Sequence, residues 1–369
     1  MRVEAIELRQ LRLPFTEAMR ASYGSHSEKV CILATVYTDG GHGYGECSAF
    51  ADPFYTEESV DTAWLVMNRY LAPALLGTNM SDPASVSTLF SQVRGHYMAK
   101  AGLEAAVWDA YAKTRGCSLA SLVGGAKKEV ETGISLGLYE TQEALLQRVF
   151  AALDAGYVRI KVKIAPGQDI SVLSAIRSTF GDISLSADAN GVYKLADLPH
   201  LRELDTFGLQ MIEQPLAFDD LLDHARLAQH LDTPICLDES IRSVKDGETA
   251  IALGACRVMC IKYGRVGGLT EARSLLKTCA QNGIGAWCGG MYETGVGRLA
   301  TIALASHDAI TLPGDISPSS RYFDEDIIDP PVTFSRPGRI AVPEGLGLGT
   351  TLRVDVVEQC TVLRTYYAV

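Results

Sequence analysis

No stretch of this 369-residue chain approaches the ~18 consecutive apolar residues that a membrane span requires. Basic charge is also scarce. The 33 lysines and arginines stand against 44 aspartates and glutamates, a net charge of −11, which leaves no electrostatic footprint for a phosphate backbone and sets nucleic acid aside. Nine cysteines occur, but in no framework. Cys31, Cys47, Cys236, Cys256, Cys260, Cys279 and Cys288 sit singly among apolar neighbours, as buried thiols do in a reducing compartment. Cys256 and Cys260 have no second Cys or His pair nearby, which speaks against zinc. The opening Met1-Arg2-Val3-Glu4-Ala5-Ile6-Glu7 lacks the apolar core of a signal peptide. These absences predict a cytoplasmic protein whose partner is a small molecule, not a nucleic acid or a membrane.

What is present is an ordinary globular balance, 47% hydrophobic and 21% charged, in a chain long enough for two domains. Its character changes near residue 127. Before that point the pattern predicts strands at about 3–13, 29–38 and 43–48 and helices at about 57–75 and 99–115, an α+β domain over 1–126. Beyond it one unit recurs: a short apolar strand, a polar or glycine end, then an amphipathic helix. The strands fall at 130–137, 158–164, 183–190, 209–215, 234–240, 258–264, 284–290 and 310–316. Near-continuous apolar runs suit a parallel sheet covered on both faces, and eight βα units close into a barrel. An open doubly wound sheet would want a phosphate loop after its first strand, and Gly133-Ile134-Ser135-Leu136-Gly137 is a poor one.

Five charges lie in register on this repeat. Lys163, Asp188, Glu213, Asp238 and Lys262 each fall at or near the C-terminal end of successive strands, at intervals of 25, 25, 25 and 24 residues. Burying an unpaired charge is expensive, so the five are expected to converge at the barrel mouth, where such folds place their chemistry. Three neighbouring carboxylates repel one another unless a cation neutralises them. All-oxygen ligation favours Mg²⁺, with Mn²⁺ a plausible substitute. The lysines flank the carboxylates on opposite sides. Lys161 and Lys163, two apart on a strand, both point inward, and their mutual repulsion is expected to lower the pKa of at least one. A useful base lies near ~7–8, against ~10.4 for a free lysine, a shift expected from burial, the neighbouring ammonium and the metal together. A cation that stabilises an enediolate between two amines is a device for removing a proton alpha to a carboxylate.

The ordered set Lys161-Val162-Lys163, Asp188-Ala189-Asn190, Ile212-Glu213-Gln214-Pro215, Leu237-Asp238-Glu239-Ser240 and Ile261-Lys262 resembles the muconate-lactonizing-enzyme subgroup of the enolase superfamily, over essentially the whole chain. Within that subgroup, the stretch from Lys262 to Gly268 and the stretch from Trp287 to Gly295 look most like o-succinylbenzoate synthases and N-succinylamino acid racemases. Tyr263 departs from the pattern, which has proline there.

The resemblance implies a modified (β/α)7β TIM-like barrel over 127–322, under an α+β capping domain. Residues 323–369 would return to the cap. It further implies Asp188, Glu213 and Asp238 as metal ligands, Lys163 and Lys262 as the acid/base pair, and a homo-oligomer. Dipeptide epimerases and muconate-type cycloisomerases share these residues and are the nearest rivals; a Schiff-base aldolase using Lys163 or Lys262 is a distant one.

Other residues have smaller assigned roles. Glu239 should point away from the ligand beside it, supporting the site from behind and not ligating the metal. Arg265 is placed to act on Lys262 electrostatically, as Lys161 is on Lys163. Asn190, Ser135, Tyr55, Gly290 and Met291 are candidate substrate contacts, with backbone amides at Gly289 and Gly290 suited to a succinyl carboxylate. Asp315 stands alone where the epimerases tend to carry two aspartates for a free amino group. Residues 15–24 and 49–55 are expected as loops closing over the mouth.

Overall fold

The computed structural model describes residues 1–21 and 24–369. An antiparallel sheet opens the chain, with β1 (Val3–Ala21), β2 (Gly24–Thr38) and β3 (Gly41–Cys47) as a meander. On β2, Val30, Ile32, Ala34 and Val36 belong to the core of this sheet and its helices. Cys31 and Leu33 belong instead to the core shared with the barrel. The strand therefore keeps its period of two while burying both faces. Behind the sheet run a broken helix from Val60 to Leu75, capped by Ser59, and the long helix Tyr97–Thr114. That helix lies hard against β3: a side chain at Gly45 would run into the Gly102 carbonyl, so only glycine permits the approach.

Residues 15–21 and Gly24, expected within a loop, are instead in the paired strands β1 and β2 of a long hairpin. Pro14 cannot donate to the ladder, and the register shifts between Pro14 and Met19 before pairing resumes at Met19 opposite His26. The proline reads as a terminator in sequence but acts as an irregularity. Ser22 and Tyr23 of the expected loop lie outside the described residues.

The first strand of the repeat is broken at Thr132 into β4 (Glu129–Glu131) and β5 (Gly133–Leu136). From β5 a parallel sheet runs in chain order through β6 (Arg159–Lys163), β7 (Leu185–Asp188), β8 (Ile212–Glu213), β9 (Ile235–Leu237), β10 (Val258–Ile261) and β11 (Gly285–Cys288). It has seven strands rather than the eight expected. The eighth segment contains Pro313, which lacks an N–H, and forms no regular strand. It still closes the ring. Asp315 N–H donates to the Cys288 carbonyl (2.9 Å), and Gly133 N–H donates to the Gly314 carbonyl (2.7 Å). The tail adds β12 (Ile328–Asp329), β13 (Arg339–Ala341), β14 (Thr351–Leu352) and β15 (Thr361–Ala368). Among these, β13 pairs with β4 and β15 pairs with β1.

Two buried carboxylates fasten the N-terminal layer to the barrel. Glu46, at the end of β3, accepts from Thr294 N (3.0 Å) and Gly297 N (3.2 Å) at the start of helix Gly295–Ala305. Glu104 accepts from Leu269 N (2.8 Å) and Thr270 N (2.9 Å) at the start of helix Leu269–Gln281. A carboxylate suits the exposed N–H groups and positive end of a helix. Thus joined, the N-terminal layer holds Phe15, Phe50 and Tyr55 over the mouth, where Phe15 and Phe50 pack against Tyr292.

Candidate active site at the barrel mouth

Parallel register brings the charges together. Lys163, Asp188 and Glu213 are opposite one another across β6, β7 and β8, while Asp238 and Lys262 each sit one residue past the ends of β9 and β10. All five are largely buried. Lys163 Nζ donates to Asp188 Oδ2 (2.7 Å) and to the Asn190 amide oxygen. On the other flank Lys262 Nζ donates to Asp238 Oδ2 and to the Tyr55 hydroxyl, each at 2.7 Å. Arg265 pairs with Asp238 directly, reaches the Tyr55 hydroxyl (2.9 Å), and is fixed by the carbonyls of Ile241 and Cys260. Between the flanks lies Lys161, which joins Glu213 (2.7 Å), Asp315 (2.8 Å) and Asp188 (3.4 Å).

One expectation fails here. Glu239 does not point away: its Oε1 accepts from the Asn190 amide (2.7 Å), completing a chain from Lys163 through Asn190 to Glu239. Strand alternation stops with β9 at Leu237, so it does not govern residue 239. The protein groups by themselves hold both lysines up. Burial works against the Lys163 ammonium, and Lys161 does too, but Asp188 and Glu213 together outweigh both and hold it above the usual lysine value. Burial opposes the charge of Lys262 as well, yet Asp238 lifts it far above that value.

Acidic groups carry the opposite strain. Burial, then Asp188, pushes Glu213 up to about 8, and burial with Asp238 pushes Glu239 up to about 7. Glu213 Oε1 is buried with no hydrogen-bond partner among the described residues. Within the same set, Glu213, Asp238 and Cys260 bring donor atoms within 4.8 Å of one another, with Asp188 alongside, held by Lys161 and Lys163. Burial drives the Cys260 thiol well up, so it remains protonated and the available donors are carboxylate oxygens. That set fits a hard divalent cation.

The backbone is shaped around the same place. Asn190, Gln214 and Tyr292 all adopt left-handed φ (44°, 41° and 55°) just beyond β7, β8 and β11. Strained non-glycine residues gather where a site over-determines them. Gln214 uses the strain: its side-chain oxygen receives Asp238 N (3.0 Å) and Ser240 N (3.2 Å), which sets the segment carrying Asp238. Gly289 matters for a simpler reason, since a Cβ there would lie 2.5 Å from Lys262 Cε. Its amide is already bonded to the Ile261 carbonyl, so it is not a donor for a substrate carboxylate.

Tyr55, Ser135, Gly290 and Met291 line the central cavity with the charged residues. The buried layer beneath was missed by sequence reasoning. Arg159 pairs with Asp315 (2.5 Å), and Arg159 and Lys161 lie over the Trp287 ring at 4.3 and 4.7 Å. The signal was present in Arg159-Ile160-Lys161-Val162-Lys163, where three cations alternate along one strand face.

Two family models match the chain, one described as Enolase C-terminal domain-like over residues 144–356 and the other as Mandelate racemase / muconate lactonizing enzyme, N-terminal domain, over 5–124. The chain belongs to the enolase superfamily. An o-succinylbenzoate synthase of Geobacillus kaustophilus is 47% identical over 360 residues, covering 97% of this chain and 96% of that protein. An N-succinylamino acid racemase of Amycolatopsis sp is 44% identical, covering 99% of each chain. The crystal structure of an enolase-superfamily member from Listeria innocua superposes with a TM-score of 0.96 at 43% identity, covering 99% of each chain. The fold is accordingly the superfamily's capped TIM-like barrel, and the chain is an enzyme acting on small carboxylates. Membership in the enolase superfamily implies a divalent metal, which the donor chemistry at the mouth suits. No helix is long and apolar enough to cross a membrane among the described residues.

Proposed function

We propose that this enzyme is an o-succinylbenzoate synthase, serving menaquinone biosynthesis, that also racemises N-succinylamino acids in the same site. The observation that carries the reading is the placement of two lysines on opposite flanks of one buried carboxylate group, Lys163 on Asp188 and Lys262 on Asp238. Near-full-length identity to both kinds of enzyme supports it. In this reading residues 1–126 cap the barrel of 127–322, and 323–369 return to the cap.

Asp188, Glu213 and Asp238 would hold Mg²⁺, for which Mn²⁺ can substitute. When bound, the cation would supply stabilisation for negative charge on the substrate carboxylate and would offset the carboxylate field that keeps the lysines protonated. Lys163 Nζ, as the free amine, takes the proton alpha to the carboxylate. In the synthase reaction it returns that proton to the departing hydroxide, and water leaves. Lys262 remains an ammonium that stabilises the enolate. In racemisation Lys262 delivers a proton to the opposite face, and the roles reverse for the other enantiomer. Tyr55 and Arg265 hold Lys262 in position, while Asn190 holds Lys163. The aromatic cover of Phe15, Phe50 and Tyr292 keeps water out.

Two rivals are disfavoured by contacts. A dipeptide epimerase needs a carboxylate for a free amino group, and Asp315 is engaged by Arg159 and Lys161. A Schiff-base aldolase needs a neutral lysine without a metal, whereas both lysines are held as ammonium ions by carboxylates.

The test supplies the cyclohexadiene carboxylate precursor and, separately, N-succinyl-L-phenylalanine, with Mg²⁺ and with excess chelator. Metal-dependent aromatisation of the first and racemisation of the second are expected. Turnover of a dipeptide but of neither succinyl compound would replace the reading with the epimerase.

A further inference from the structure

The central cavity among the lysines and carboxylates measures about 60 Å³. That is smaller than the ~150 Å³ an engineered cavity uses to bind benzene, so it has room for the reacting carbon and carboxylate but not for a whole succinyl-bearing substrate. A second cavity of about 380 Å³ adjoins it. Ser135, Lys163 and Tyr292 line both, so the two meet at the lysine on the Asp188 flank. Its further walls include Met19 from the β1 end of the hairpin and Leu138 from the segment after β5, with Arg148 and Arg321 adding charge.

The cations of this second cavity differ. Lys163 is paired with Asp188, and Arg148 is paired with Glu17 (2.5 Å). Among the described residues, Arg321 has no carboxylate within ion-pair distance, although Glu140 shares the lining. The Arg321 surroundings are three tyrosines, Tyr139, Tyr157 and Tyr322. Its Nη2 donates to the Ser135 carbonyl (3.2 Å), and its own carbonyl accepts from the Thr16 hydroxyl (3.2 Å). Neighbouring Tyr322 receives Thr16 N (2.9 Å). The guanidinium is thus held to the barrel strand, while the backbone that carries it is held to the capping hairpin. The guanidinium also hydrogen-bonds the Tyr322 side chain; the N–H donors beyond these two bonds are left for an anion, and a planar fork of donors matches a carboxylate. A half-buried cation with no carboxylate partner among the described residues, on an otherwise mixed wall beside the reacting lysine, is a receptor for a second negative group.

We propose that Arg321 determines specificity for the substrate's second carboxylate: the acyl arm leaves the central cavity past Ser135 and Lys163, and its terminal carboxylate pairs with Arg321. This rests on the reading above that the substrates carry a succinyl arm, and it names the residue that recognises that arm. Arg321 lines the second cavity and not the central one, so it acts in binding and not in proton transfer. Neutral acyl arms of the same length gain nothing from it.

The test compares N-succinyl-phenylalanine with N-butanoyl-phenylalanine, in which a methyl replaces the distal carboxyl, on the wild-type enzyme, Arg321→Gln and Arg321→Lys. Using the ratio of kcat/KM for the two substrates within each variant removes any difference in folded fraction. Arg321→Gln is expected to lower the succinyl-to-butanoyl ratio tenfold to a hundredfold, through KM. Arg321→Lys should recover part of it. A ratio within twofold of wild type would overturn the proposal, since a packing role alone would depress both substrates together. If the wild-type enzyme turns over neither N-succinyl-phenylalanine nor the cyclohexadiene precursor, the functional reading fails, and calorimetry with succinate and butyrate then decides this one. Succinate binding weakened at least tenfold by Arg321→Gln, against butyrate unchanged, would keep the anion subsite; equal weakening or none would remove it.

Discussion

The two flanks of the site hold the same kind of base in different settings. Lys163 leans on Asp188 and Asn190 and borders the 380 Å³ cavity through which an acyl arm has room to extend. Lys262 is locked by Asp238 and by Tyr55, a residue of the N-terminal layer, with Arg265 crowding the same carboxylate. On one flank the lysine's own partners all come from the barrel and the site opens outward; on the other they include Tyr55 of the N-terminal layer and the site is closed. Two amines in one carboxylate field are therefore not interchangeable. The open flank suits a base that must follow a leaving group, and the closed flank suits a fixed cation.

The largest expected effect removes what both flanks share. Excess chelator should abolish turnover, and added Mg²⁺ should restore it. Glu213, pushed up to about 8, must lose its proton to serve as a ligand, so apparent metal affinity should rise about tenfold per pH unit below that value and level off above it. Metal titration by calorimetry at several pH values checks the slope; a flat profile would take Glu213 out of the ligand set.

Next in size is Tyr55→Phe, which removes a hydroxyl that accepts from Lys262 and Arg265 and donates to Asp238, all on the closed flank. A loss of about 10- to 100-fold in kcat, corresponding to ~1.5–3 kcal/mol, is expected for the enantiomer deprotonated by Lys262, with a smaller loss for the other. Asn190→Gly does the reverse. Glycine accepts the left-handed backbone there, Asp188 still holds Lys163, and about a fivefold loss should fall on the Lys163-dependent direction. Equal effects of both variants on both enantiomers would erase the distinction between the flanks.

The smallest effect lies in the joint that brings the cap over Lys262. Burial raises Glu104 from the usual 4.5 to about 7. A carboxyl so raised contributes stability below pH 4.5 that is lost as pH rises through 7. Glu104→Gln should flatten that part of the pH–stability curve, and should cost about 1–3 kcal/mol at low pH by disturbing bonds to buried donors. Thermal melts from about pH 4.5 to 8 measure both.

The barrel and its charged strand ends were legible because the repeat is regular and a charge ending an apolar strand is seldom incidental, given what burying it costs. What escaped did so for local reasons. Pro14 looked like the end of a strand that continues past it. Glu239 was placed by an alternation that had stopped two residues earlier. Arg159 and Trp287 sit deep in strands, where sequence offers no sign that a cation lies over an indole. The lysines' titration depends on the balance between neighbouring ammonium and carboxylate groups, and only distances decide it. Arg321 follows the last barrel segment in a stretch without periodicity, so nothing in its spacing ties it to Ser135, 186 residues away.

The central claim is that Lys163 and Lys262 serve opposite faces of one carbon, and the most direct test resolves the two faces. Proton NMR would follow alpha-proton exchange of N-succinyl-L-phenylalanine and its D-enantiomer in D₂O with Mg²⁺, for Lys163→Ala and Lys262→Ala. The account predicts that each variant exchanges one enantiomer only, and that the two variants differ in which. Loss of the same enantiomer in both, or undiminished exchange of both enantiomers in either, would contradict it.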